Sequence, residues 1–280
     1  MYVSSKEMTL AAKKGGYAVP AFNAENLEMV QAILEAAEAE SSPVIIQTTP
    51  TTVDYLMLEE ASAMVLAIAD KSRIPTALHL DHCQKLEDVM RAVKAGYSSV
   101  MFDGSRLPFD ENAEITAHIH QVLAPMDITV EAELGTVGGK EDDLAAVGPI
   151  YTDPEEAFLF VERTGVDLLA IGIGTAHGFY KGTPKLDIDR IATIRSRIET
   201  PLVMHGGSGL PDALIRRAIE AGMSKVNFAT ELRAAFTEGA RAGLEDSNVI
   251  DPKKYLSKAK ERVFHLCRQK IRLCGSNDRI

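Results

Sequence analysis

Pro75-Thr76-Ala77-Leu78-His79-Leu80-Asp81-His82 is an apolar run that closes on a histidine, and the chain uses the same device twice more. Leu169-Ala170-Ile171-Gly172-Ile173-Gly174-Thr175-Ala176-His177 and Pro201-Leu202-Val203-Met204-His205 have the same construction. Each reads as a buried strand delivering a ligand at its C-terminal end. Side chains at equivalent ends of parallel barrel strands converge on one axis, so three imidazoles beside a carboxylate point to a catalytic metal site.

Outward from these runs, short β-branched segments alternate with segments of helical periodicity. The predicted strands are Tyr17 to Phe22, Val44 to Gln47, Thr76 to Leu80, Ser98 to Phe102, Thr129 to Leu134, Leu168 to Ile173, Leu202 to His205 and Lys225 to Phe228. The predicted helices run Asn26 to Ala39, Leu58 to Lys71, Leu86 to Ala95, Asn112 to Leu123, Pro154 to Thr164, Ile188 to Ile198, Asp212 to Ala221 and Glu231 to Leu244. A further helix, Pro252 to Leu273, is appended. Eight strand-then-helix units predict an α/β chain folded as a closed (β/α)8 barrel, one domain over residues 1–280, rather than an open doubly wound sheet. Two long glycine-containing loops, Gly135 to Thr152 and Gly174 to Leu186, fall at the face where lids and substrate grips occur.

Composition narrows the function. With 280 residues, 46% hydrophobic, the chain can bury a full core. A net charge of -10 with interspersed signs offers no basic stripe for nucleic acid. No apolar stretch reaches the roughly 20 residues of a membrane span, and the polar, charged start is unlike a signal, so the expected location is cytoplasmic. Cys83, Cys267 and Cys274 are too few for a disulfide framework and lack zinc-finger spacing.

The barrel reading gives the polar residues a place. Asp81 and His82 follow the third strand, Glu131 and Glu133 lie in the fifth, His177 follows the sixth, His205 ends the seventh and Asn227 lies in the eighth. His118, His120 and His265 fall within helices, away from that mouth. Gly178 follows one candidate ligand, and His205-Gly206-Gly207-Ser208-Gly209-Leu210 precedes a helix. Backbone N–H groups freed by small residues at a helix start form an anion cradle, and barrels often hold phosphate after strands seven and eight. Asn227-Phe228-Ala229-Thr230 completes that quarter.

These residues resemble the class II, zinc-dependent ketose-bisphosphate aldolases, most closely the tagatose-1,6-bisphosphate aldolase branch. The resemblance runs from Gly16-Tyr17-Ala18-Val19-Pro20-Ala21-Phe22-Asn23 through His79-Leu80-Asp81-His82, Val130-Glu131-Ala132-Glu133-Leu134-Gly135 and Gly174-Thr175-Ala176-His177-Gly178. It continues through His205-Gly206-Gly207-Ser208-Gly209 and Asn227-Phe228-Ala229-Thr230-Glu231-Leu232 to Cys274-Gly275-Ser276-Asn277-Asp278-Arg279-Ile280. It implies that His82, His177 and His205 ligate Zn2+, with Glu133 a carboxylate that approaches the metal in some states. It implies that Asp81 serves the C4 hydroxyl, that Glu141 exchanges the proton on the dihydroxyacetone phosphate carbon, and that Asn227 orients the reacting oxygens. Gly178, Gly206, Gly207, Ser208, Asn227, Ala229 and Thr230 would hold the C1 phosphate, near a monovalent cation, Na+. The implied reaction is reversible cleavage of a ketose 1,6-bisphosphate to dihydroxyacetone phosphate and glyceraldehyde 3-phosphate. The implied assembly is a homodimer or homotetramer, and some relatives work with a companion barrel subunit.

Cys83 stands where the branch has a second histidine, and Gly206-Gly207-Ser208-Gly209 where it has Gly-Ala-Ser-Gly, neither change removing a ligand; the departure that bears on the substrate falls at the distal end of the sugar. Where the branch has Ala-Gly-Thr-Pro-Gly-Thr after the second strand, this chain has Gln47-Thr48-Thr49-Pro50-Thr51-Thr52. Two glycines have become threonines, which removes space and adds hydroxyl donors. Thr48, Thr49 and Arg279 are therefore the expected distal contacts, to a phosphate or to another anion such as the sulfonate of 6-deoxy-6-sulfofructose 1-phosphate. A non-catalytic barrel subunit is the remaining alternative, one that needs none of Asp81, Glu141 or the three histidines.

Overall fold

The computed structural model describes residues 1–141, 144–145, 150–180 and 182–280, and the side chains of all of these except 140, 141, 144 and 145. Eight strands close into a barrel: β1 (Val19–Asn23), β2 (Val44–Thr48), β3 (Thr76–Cys83), β4 (Ser99–Phe102), β5 (Thr129–Leu134), β6 (Leu168–Ile171), β7 (Leu202–Met204) and β8 (Met223–Phe228). Every neighbouring pair is parallel, and β1 pairs with both β2 and β8. Helix α1 (Ser5–Gly15) precedes β1, and α2 (Leu27–Ala39) follows it. Two helices, α3 (Pro50–Leu56) and α4 (Leu58–Ala69), follow β2. Single helices follow the rest: α5 (Leu86–Ala95), α6 (Phe109–Leu123), α7 (Pro154–Thr164), α8 (Ile188–Arg195), α9 (Asp212–Ala221) and α10 (Thr230–Gly243). The appended α11 (Pro252–Leu273) packs on α10 and α2. The expected (β/α)8 TIM barrel with a C-terminal helix is the architecture.

Strand alternation sorts the residues into two environments. Outward side chains such as Ile46, Leu78, Val100, Val130, Leu169 and Val226 join the helices in the main apolar core. Each such burial contributes roughly 1.5–3 kcal/mol. Inside, Val19, Ala21, Ile45 and Ala77 fill the lower barrel against Met8 and Ala12 of α1. Above them the interior becomes polar, with Gln47, His79, Asp81, Glu131 and Lys225 all buried.

One irregularity places a site residue. Strands β3 and β4 pair His79 with Ser99 and Leu80 with Val100, but next Cys83 with Phe102, so β3 carries one extra residue. The bulge falls at Asp81-His82, and His82 has φ 51°. Strict alternation would send His82 outward, whereas the left-handed turn brings it to the mouth beside Asp81. Such a conformation costs about 1–3 kcal/mol in a non-glycine residue and persists where surrounding structure enforces it.

Three segments differ from the sequence expectation. No element is predicted before Tyr17, yet α1 closes the lower end of the barrel. No helix is predicted in the threonine-rich run after β2, yet Pro50 starts α3, a position where its missing N–H costs nothing. The two long loops pair with each other: Gly138–Glu141 lies between Leu144–Ala145 and Ala176–His177 in a small sheet. Gly139 permits this, because a Cβ there would lie 2.3 Å from the His177 carbonyl oxygen.

Candidate active site

The bulged end of β3 delivers His82, the paired loop delivers His177, and the residue after β7 is His205. Ring centroids of His82 lie 5.1 Å from His177 and 4.5 Å from His205. One nitrogen from each ring falls within 4.8 Å of the others. Their orientation is fixed from behind. His82 Nδ1 lies 3.0 Å from Asp103 Oδ2, and His205 Nε2 lies 2.9 Å from Glu131 Oε1. Carboxylates in that position set the ring orientation and raise the basicity of the remaining nitrogen. Glu133 Oε2 and His205 Nδ1 are buried 3.2 Å apart, and neither hydrogen-bonds within the described residues.

Electrostatics in the cluster favour positive charge. Burial and the adjacent His82 pull the His205 imidazole down, yet Glu131, Glu133 and Asp81 lift it to about 9. Burial raises Glu131, but Lys225, His79 and His205 bring it down to about 2. Asp103 is likewise brought to about 2, its burial outweighed by His82 and Ser105. A field that holds a proton on a fully buried imidazole also favours a cation. Three imidazole nitrogens and one carboxylate oxygen make a donor set suited to zinc, so the residues fit a metal ion here. Below them His79, Asp81 and Glu131 also converge. That lower group already has its cation, because Lys225 Nζ donates to Glu131 Oε2 at 2.7 Å.

Asp81 is oriented by amides. Gln47 Nε2 donates to Asp81 Oδ2 at 2.8 Å and to Asn23 Oδ1 at 2.8 Å, while Asn227 Nδ2 donates to Asp81 Oδ2 at 3.2 Å. Burial alone would raise the Asp81 carboxyl, but the neighbouring His82, His79 and Lys225 hold it well below the usual carboxylate range. The group is an ionised acceptor held in one orientation.

Next to His177, a small cavity of about 30 Å³ is lined by Gly178, Gly206, Ser208, Ala229, Thr230 and Arg233, with Asn23 and Asn227 completing it. It sits at the N-terminus of α10, where backbone N–H groups favour an anion. Ser208 Oγ accepts from the Ala229 N–H at 3.1 Å. Tyr180 binds the loops together: its hydroxyl accepts from the Ala176 N–H and donates to the Gly206 carbonyl, both at 2.9 Å. Gly206 has φ 68°, and a Cβ there would lie 2.6 Å from the Ala176 carbonyl oxygen.

Four expected contacts lie elsewhere. Thr48 faces the helix layer, where its hydroxyl meets Tyr97 at 2.9 Å. Thr49 is buried against the hydroxyls of Thr51 and Thr52. Gly207 turns its N–H to the Asn227 carbonyl rather than to the cradle. Arg279 lies at the lower end of the barrel, its Nε donating to the Gly275 carbonyl and its guanidinium 4.7 Å from the Tyr17 ring centre. The first three follow from strand parity and tight packing, and the last from the C-terminal tail running beneath β1. The side chain of Glu141 lies outside the described residues. Gln47, Asn23, Asp103, Glu131 and Lys225 were not assigned roles from the sequence. Their signal was parity: Glu131 shares a face with Glu133, and Lys225 with Asn227.

A family model described as fructose-bisphosphate aldolase class-II matches residues 3–279. The YdjI aldolase from Escherichia coli K12 is 33% identical, covering 100% of this chain and 99% of its own, with a TM-score of 0.88. A candidate fructose-1,6-bisphosphate aldolase from Coccidioides immitis is 26% identical over 98% of this chain and 96% of its own, with a TM-score of 0.90. The fructose-bisphosphate aldolase Fba from Campylobacter jejuni shares the fold, at 23% identity over 100% of this chain and 97% of its own, with a TM-score of 0.82.

Proposed function

Because the chain belongs to the class II fructose-bisphosphate aldolase family, metal-dependent lyases that act on sugar phosphates, we propose that it is a zinc aldolase for a ketose 1,6-bisphosphate of the tagatose or fructose type. The products are dihydroxyacetone phosphate and glyceraldehyde 3-phosphate. His82, His177 and His205 would hold the zinc ion, with Glu133 able to join them. When bound, zinc supplies Lewis-acid polarisation of a substrate carbonyl. The observation that carries this reading is the convergence of the three imidazoles, backed by Asp103 and Glu131, beside an ionised Asp81.

Asp81 performs the proton transfer. Held by Gln47 and Asn227, its carboxylate takes the C4 hydroxyl proton as the C3–C4 bond breaks. The C4 oxygen becomes the aldehyde carbonyl, and the bonding pair moves onto C3 and towards C2. Glu141 then returns a proton to C3, completing dihydroxyacetone phosphate. Asn227 also orients the oxygens on C2 and C3. The C1 phosphate would sit in the Gly178, Gly206, Ser208, Ala229 and Thr230 cradle, and the same loops would hold Na+. The chain works in the cytoplasm as a homodimer or homotetramer, each copy one barrel domain.

Metal analysis tests this reading. Purified protein is expected to carry about one zinc per chain, and His205→Ala to lose both metal and cleavage. A metal-replete protein without zinc, or His205→Ala with full cleavage, overturns it.

A further inference from the structure

A second cavity, of about 890 Å³, opens against His82, His177 and Glu133 and extends along the β2 to β4 side of the mouth. A cavity of this size belongs to the range of small-molecule sites. The residues expected from the sequence to meet the distal end of the sugar, Thr48, Thr49 and Arg279, do not line it. Its cations are Lys85, Arg91 and Arg106. Arg91 is matched by Asp88, 3.1 Å away. Lys85 and Arg106 are exposed, and neither side chain forms an ion pair or hydrogen bond among the described residues.

Arg106 is tied to the metal cluster through its own loop. Asp103 uses Oδ2 to hold His82 and Oδ1 to accept from both the N–H and the hydroxyl of Ser105, at 3.1 and 2.6 Å. The carboxylate that orients a candidate ligand thus also fixes the residue before Arg106. Asp103 is committed to those partners and Asp88 to Arg91, so of the acids lining the loops after β3 and β4, none neutralises Arg106. A guanidinium presents a planar fork suited to phosphate, sulfonate or carboxylate oxygens.

Resting on the aldolase reading, we propose that Arg106, seconded by Lys85, binds the anionic group at the distal end of the aldehyde portion of the substrate. Arg106 is then a specificity residue. It selects substrates whose far end is an oxyanion, while Asp54 of α3, which also lines the cavity, accepts hydrogen bonds from hydroxyl groups along the chain.

The synthesis direction tests this. Dihydroxyacetone phosphate is offered with glyceraldehyde 3-phosphate or with uncharged glyceraldehyde, and the ratio of kcat/KM for the two aldehydes is measured. Arg106→Ala is expected to lower that ratio by about tenfold or more, the scale of a hydrogen bond between charged groups. Arg106→Lys is expected to recover part of it, because the charge remains and the fork is lost. Lys85→Ala is expected to lower the ratio less. A ratio unchanged in Arg106→Ala, with the wild type joining both aldehydes, overturns the assignment of Arg106 and leaves the aldolase reading standing. A wild type that joins neither aldehyde overturns both.

Discussion

The two ends of the barrel both carry buried charge, and they use it in opposite ways. At the lower end opposite charges are matched. Asp167 meets Lys6 of α1 at 2.8 Å and accepts from the Val130 N–H at 2.9 Å. Glu40 accepts from Arg268 and Arg272 of α11. These pairs join α1 to the residue that leads into β6 and the C-terminal helix to the end of α2. At the mouth, Asp81, Asp103, Glu131 and Glu133 gather around the buried Lys225 and a group of imidazoles. Matched charge is suited to holding the fold, while at the mouth the carboxylates create a field that would retain a metal, and the imidazoles with Lys225 keep Asp81 ionised. The difference accords with barrels in which chemistry gathers at the C-terminal face and stability at the other.

Substitutions at the mouth are therefore expected to remove activity more than stability, and substitutions below the reverse. His205→Ala has the largest expected effect, loss of bound metal together with cleavage, read by metal analysis and turnover. Full turnover in that variant would break the comparison. Asp81→Asn comes next. It keeps the amide contacts and the metal but lowers turnover by roughly 10²–10⁴-fold, the scale of a lost acid–base group. Loss of metal in Asp81→Asn would move that residue from proton transfer to ligation. Asp103→Ala frees His82 and the loop carrying Arg106, and metal affinity is expected to drop about 10–100-fold. A competition titration with a chelating dye reads that change.

The smallest effect on turnover is expected below. Asp167→Ala leaves the Val130 N–H without its acceptor and costs about 1–3 kcal/mol of stability by denaturant unfolding, with turnover retained. Burial raises the Asp167 carboxyl, but His120, Lys6 and the Val130 N–H outweigh it and hold it below the ordinary value. Its contribution is thus complete above the unfolded carboxylate value, about 3.9, and is lost as pH falls through the lower folded value. The variant should show a flatter decline in melting temperature below about pH 4. A decline as steep as that of the wild type would assign the acid lability to other groups.

The alternation of apolar strands and amphipathic helices carried the barrel, because each strand needs its outward face covered by the helix that follows. The histidines were legible for the same reason, as polar residues terminating apolar runs. The bulge at His82 was not, since an extra residue in one strand shows only against the register of its neighbour. Helix α1 was also hidden, because its buried face mixes Met8 and Ala12 with the polar Ser5 and Thr9 and so lacks an apolar stripe. Thr48 was expected at the distal end of the sugar because it replaces a glycine of the branch, whereas strand parity turns its hydroxyl towards Tyr97. Lys225 and Glu131 form a pair across the barrel interior, separated by 94 positions. No local pattern signals such a contact.

Chelator-dependent cleavage kinetics test the central claim most directly, with tagatose 1,6-bisphosphate, fructose 1,6-bisphosphate and sulfofructose 1-phosphate compared side by side. The account predicts turnover of a bisphosphate that disappears on chelation and returns with added zinc. Turnover that survives complete metal removal, or no cleavage of any of the three by the zinc-loaded protein, would contradict it.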